Sequence, residues 1–212
     1  MRSPPLGVVG LGGSVSFYVV DDDERTIRRL VEFLQGTDFA GVIFSRIPLE
    51  GTFPLERVGI STNNGAPDVL LSMRWTWENN DYGAPGMFVA EGGKKGKGSH
   101  ASLSPSDLRN TLVAAGPDFK QGLIDELPSG NADLAPTILH ILGVPQPAAT
   151  PMDGRVLRET LVGSTPSGDA PATQTLEATH DIGLFQWRQY IKFTQYADRT
   201  YFDEANGGPV PK

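Results

Sequence analysis

Ser14-Val-Ser-Phe-Tyr-Val-Val20 runs directly into Asp21-Asp-Asp-Glu24 and then into Arg25-Thr-Ile-Arg-Arg-Leu-Val-Glu-Phe-Leu-Gln-Gly36. The first seven residues are rich in β-branched and aromatic side chains and nearly continuous in apolar character, the pattern of a strand covered on both faces. Asp23 is placed to cap a helix, Ile27, Leu30, Val31 and Leu34 recur at i, i+3, i+4 and i+7, and Gly36 is placed to end it. The unit is a strand followed by an amphipathic helix.

Outward from it, Ala40–Ser45 and Asp68–Arg74 read as two further strands, and Asn110–Gly116 as a fourth that ends at Gly116-Pro117. Asn131 caps an expected helix over Ala132–Leu142, with Leu134, Ile138, Ile141 and Leu142 on one face and Gly143 as its stop. Met152–Leu161 gives a turn and a short helix, and Trp187–Thr194 with Arg199–Asp203 suggests a hairpin. Apolar strands linked by helices predict an α/β fold: a mainly parallel sheet flanked by helices, with a C-terminal antiparallel hairpin. Residues 1–162 form the expected α/β domain, 163–178 a flexible linker or insertion rich in Gly, Ser, Thr and Pro, and 179–212 the hairpin returning to the same domain.

The 212 residues, 39% hydrophobic and 20% charged, suffice for one sizeable core and argue against disorder throughout. A net charge of −7 sets the field of the protein against a nucleic-acid backbone, so a polymeric nucleic-acid partner is disfavoured. There is no cysteine, which leaves nitrogen and oxygen donors for any metal. No apolar run in the chain has signal-peptide or membrane-spanning length.

Two glycine-rich stretches do not make nucleotide sites. Gly10-Leu-Gly-Gly13 lacks the third glycine of a dinucleotide fingerprint and precedes a strand, and Gly92–Ser99 fits no phosphate-loop register. No Gly-x-Ser-x-Gly elbow anchors a hydrolytic triad, so no catalytic residue is assigned and no organic cofactor is expected. Of the three histidines, His140 reads as a half-buried helix residue and His180 as an exposed or locally capping one. His100, in Gly96-Lys-Gly-Ser-His-Ala-Ser-Leu-Ser-Pro105, sits at a sheet-edge loop of the kind where α/β proteins place ligands. From spacing alone it is either a metal ligand or an ordinary loop residue.

Three ordered blocks, Gly98–Lys120, Pro128–Leu139 and Met152–Leu157, resemble the C-terminal half of the type I phosphodiesterase/nucleotide pyrophosphatase branch of the alkaline phosphatase superfamily, to which sulfatases also belong. The resemblance runs from about Gly12 to Leu161. It implies an alkaline phosphatase-like fold truncated at the N-terminus, two zinc ions in the complete domain, a small-molecule phosphate ester as substrate, and export of many full-length relatives. His100 matches a histidine that ligates one of the zinc ions. Ala101 stands where glycine is commoner, a change the loop absorbs if its φ is negative.

The remaining parts of the family pattern are missing. No histidine has an aspartate four residues before it and no aspartate is followed by histidine, so one ligand of the expected set is present. Two readings follow: part of a longer zinc phosphoester or phosphodiester hydrolase that is inactive alone, or a non-catalytic binding or accessory module derived from it. The first predicts that Phe17, Val19 and Val20 lose cover at a cut sheet edge, which promotes self-association, and that His100 lies in a shallow opening without a second histidine. Lys94, Lys95 and Lys97 form a solvated loop that can also draw an anion toward such a site.

Overall fold

The computed structural model describes residues 6–10, 12–61, 65–90, 92, 98–145, 152–166, 168 and 170–212. In chain order the elements are β1 (Leu6–Gly10), β2 (Ser14–Val19), α1 (Glu24–Gln35), β3 (Ala40–Ser45), β4 (Phe53–Pro54), β5 (Val69–Met73), β6 (Trp75–Asn79), β7 (Pro85–Phe88), α2 (Pro105–Leu108), α3 (Leu134–Ile141), β8 (Ala172–Asp181), β9 (Phe185–Tyr196) and β10 (Arg199–Pro211). Two compact units form: Met1–Arg109 with Thr175–Ile191 and Glu204–Lys212, and Asn110–Gln174 with Lys192–Asp203.

The first unit is organised by a five-stranded sheet in the order β1-β2-β5-β3-β4. β2 lies between β1 and β5 and is antiparallel to both, with Phe17 opposite Val8 and Val15 opposite Leu71. β3 is antiparallel to β5, and only the two-residue contact of β3 with β4 is parallel. β2 and β3 therefore run in one direction with α1 as the crossover between them, but β5 is inserted into the gap. Val69, Leu71 and Met73 of β5 are buried, which is why that strand takes the covered centre of the sheet.

This overturns the expected α/β class. Strands make up 37% of the structure and helices 20%, too little helix to flank a mainly parallel sheet, and the alkaline phosphatase-like architecture is not what this chain forms. At the C-terminus the expected hairpin is replaced by a three-stranded antiparallel sheet in the order β10-β9-β8. β2 is also not an uncovered edge: it lies between β1 and β5, Val15 and Val19 are buried in the core with α1, Phe17 is half-buried, and Val20 is exposed just past the strand. The edge strand on this side of the sheet is β1, whose Val8 and Val9 face solvent.

α1 forms where its sequence places it. Asp23 caps it by accepting from Arg25 N at 3.3 Å, and Thr26 Oγ1 donates to the same carboxylate at 2.6 Å, which holds the Asp23 carboxyl below its ordinary pKa. Ile27, Val31 and Leu34 pack with Val15, Ile43, Leu71 and Trp187 into one core. Burying each such side chain contributes about 1.5–3 kcal/mol.

The second unit has a polar centre. Asp133 accepts from Gly130 N at 2.8 Å and from Arg155 N at 2.7 Å. The Arg155 guanidinium forks onto Glu159 at 2.9 and 2.5 Å, donates to Tyr201 Oη at 3.0 Å and to Pro128 O at 2.7 Å, and stacks 4.7 Å from the Tyr196 ring centre. Arg155 and Glu159 are both buried, so the network is favourable only because the donors are matched by acceptors. No strand forms over Asn110–Gly116, where one is expected: the segment has no regular secondary structure, and Val113 is 84% exposed. Among the described residues this segment pairs with no neighbouring strand. The α3 expectation is likewise corrected, because Leu134, Ile138 and Leu142 face outward while Pro136 and Thr137 are buried.

Candidate functional site

The His100 loop belongs to the first unit and is built against the entrance of β2. Gly12 has φ +83°, and a side chain there would run into Ser99, while one at Gly13 would run into Ser102. Gly13 N donates to His100 O at 2.8 Å, and Gly13 O accepts from Met73 N at 2.9 Å, so the loop is fastened where β2 begins and β5 ends. Leu103 N donates to Ser72 Oγ at 3.1 Å, and Leu103 O accepts from Ala205 N at 2.9 Å. Asp107, on the short helix α2, accepts from Ser102 N at 2.8 Å and from Ser102 Oγ at 2.7 Å.

These bonds fix the loop backbone and leave the His100 imidazole in solvent. A backbone held in this way limits the conformational entropy that a ligand must overcome to order the residue. Ala101 has φ +69°, a left-handed conformation, so the loop does not escape by adopting a negative φ.

A zinc site needs three or four nitrogen or oxygen donors converging on one point. Among the described residues no group of three or more His, Asp or Glu side chains is arranged to hold a metal ion. The residues present do not amount to the two-zinc centre that the resemblance implies; His100 is a single donor. Lys94, Lys95 and Lys97 lie outside the described residues.

The second unit carries a cleft of about 420 Å³ whose walls include Leu112, Phe119, Ile124, Leu134, Ile138 and Leu157. This volume lies in the range of small-molecule sites. Asp125 and Lys120 give it two charged groups. Burial pushes the Asp125 carboxyl above its ordinary pKa, and nearby Glu159 adds to the effect. Lys120 Nζ is directed away into the fold, donating to Glu159 O at 2.9 Å and to Ser164 O at 3.1 Å. The cleft thus presents a wide apolar wall and a carboxyl whose pKa burial raises.

The other two histidines differ from their sequence reading. His140 is exposed on α3, with Nε2 3.5 Å from Arg158. His180 lies on β8 with its side chain 24% exposed, and its Nδ1 is 2.6 Å from Gln35 Oε1. The available signal was Gln35 itself, a polar residue four positions after Val31 on the apolar stripe of α1. No protein family, curated protein or solved structure matches the chain.

Proposed function

We propose that this chain supplies the His100 arm of a zinc-dependent phosphoester or phosphodiester hydrolase, and that by itself it hydrolyses nothing. The observation that carries the reading is the pairing of an exposed imidazole with a backbone fastened by Gly13, Ser72 and Asp107. In this reading His100 is held ready to complete a site whose other ligands and nucleophile are not among the residues described around it. The order of the three blocks around it, Gly98–Lys120, Pro128–Leu139 and Met152–Leu157, is the support from sequence. The ester class rests on that resemblance, as does zinc. Steady-state hydrolysis of bis(p-nitrophenyl) phosphate with added zinc tests the claim, and strong zinc-dependent turnover by these 212 residues alone would overturn it.

The cleft of the second unit favours a second reading, a non-catalytic binding or accessory module. The size of this pocket, its apolar walls and the Asp125 carboxyl support that reading. That reading expects a discrete ligand or partner whose binding raises the melting temperature without zinc and is unaffected by His100→Ala.

A further inference from the structure

We propose that the free edge of β1 is where two copies of this chain associate, their Leu6–Gly10 strands pairing antiparallel about a two-fold axis at Val8 so that the two five-stranded sheets join into one. The direction of the backbone groups carries the argument. Phe17 O accepts from Asp68 N at 2.8 Å, on the side of β2 that faces β5. In an antiparallel ladder the N–H and C=O of one residue point the same way and the sides alternate along the strand, so Phe17 turns its groups away from β1. Val8 stands opposite Phe17 and therefore turns its own groups away from β2. Leu6 and Gly10 follow by alternation. Leu6, Val8 and Gly10 thus present a row of donors and acceptors along the open edge, and among the described residues no other strand takes them up.

The edge is complementary to itself. Successive strand residues point to opposite faces, and Val8 and Val9 are 57% and 49% exposed, so neither face of the sheet is covered at β1. A neighbouring strand satisfies the backbone row and shields both valines at once. Pairing about Val8 sets Leu6 opposite Gly10 and Gly7 opposite Val9, a larger side chain against a glycine each time, with the two Val8 side chains as the central cross-strand pair. The outward groups then match, because Val8 exchanges both of its bonds with the partner's Val8, and Leu6 with the partner's Gly10. The devices that keep natural edges apart are missing: β1 has no charge, proline or bulge, and β2 behind it has no charge. The net charge of −7 is carried elsewhere, and salt at physiological strength screens it over about 8 Å. A two-fold contact of this kind closes at the dimer. It uses no residue of the His100 loop and is separate from that proposal.

Sedimentation equilibrium of the full chain from about 5 to 500 µM, with Val8→Lys and Val8→Glu as probes, tests it. Val8 is exposed, so both variants keep the fold, which circular dichroism checks. The expected result is a reversible dimer of the parent chain with a Kd of about 10–300 µM, the weak class that fits so short an interface. Either substitution alone should weaken it about tenfold or more, because like charges then stand opposite each other. An equimolar mixture of the two variants should associate again, since opposite charges then meet at the axis. Val113→Lys, at an exposed valine elsewhere, should leave the dimer unchanged. A monomer throughout the range, a dimer indifferent to Val8→Lys, or a mixture no more associated than its separate components would overturn the proposal.

Discussion

The side-chain amide of Gln189 stands beside Ile43 as a strand would: Oε1 accepts from Ile43 N at 2.8 Å and Nε2 donates to Ile43 O at 3.1 Å. β3 needs this because β4 pairs with it only at Phe44 and Ser45. Both residues are buried, so no water can replace the amide. Gln189→Leu keeps the volume and removes both bonds, and is expected to lower stability by about 2–4 kcal/mol, the cost of two unsatisfied backbone groups. Urea unfolding measures it. A loss below about 1 kcal/mol would mean that the Ile43 groups find other partners.

Ala101 is a built-in weakness of the His100 loop. At φ +69° an alanine costs about 1–2 kcal/mol relative to its preferred regions, a strain that glycine does not carry. Ala101→Gly is therefore expected to raise stability by about 0.5–1 kcal/mol after the greater chain entropy of glycine in the unfolded state is subtracted. The midpoint of urea denaturation should rise at constant slope. A lower midpoint would show that the loop is not left-handed at this position.

The cleft gives a pH signature. Burial raises the Asp125 pKa in the folded state, so between its ordinary value and the raised one the folded chain holds more proton than the unfolded chain. The contribution of this group to stability is full below the ordinary carboxylate range and declines as pH rises through the folded value. Asp125→Asn removes the titration while keeping an oxygen for Leu127 N, which donates to Asp125 Oδ1 at 3.1 Å. The variant should gain on the parent chain as pH rises above the ordinary carboxylate range, when unfolding is followed as a function of pH. A constant difference between the two would remove Asp125 from the account.

What was legible in the sequence is what local pattern determines. The strand at Ser14–Val19 and the helix at Glu24–Gln35 follow from side-chain periodicity and the Asp23 cap, and both form. Sheet order was not legible, because the direction of β2 and β3 leaves open whether they touch, and the insertion of β5 between them is decided by long-range packing. Asn110–Gly116 has the composition of a strand, yet a strand exists only with a neighbour, and among the described residues it pairs with none. At the site, the glycine-bordered position of His100 could be read from the chain. The Gln35–His180 contact, which spans 145 residues, could not.

The central claim is that His100 is a ligand belonging to a larger hydrolase site, and one measurement tests it most directly. Reading the coding DNA upstream of the Met1 codon, and expressing any longer product it encodes with and without His100→Ala, compares zinc content and phosphodiester hydrolysis in matched proteins. The account predicts a longer product bearing the missing Asp-x-x-x-His and Asp-His pairs. Its zinc-dependent turnover should fall more than about 100-fold on His100→Ala, beyond what outer-layer partners of metal ligands cost. An upstream stop codon with no such product, or a longer hydrolase indifferent to His100→Ala, would contradict it.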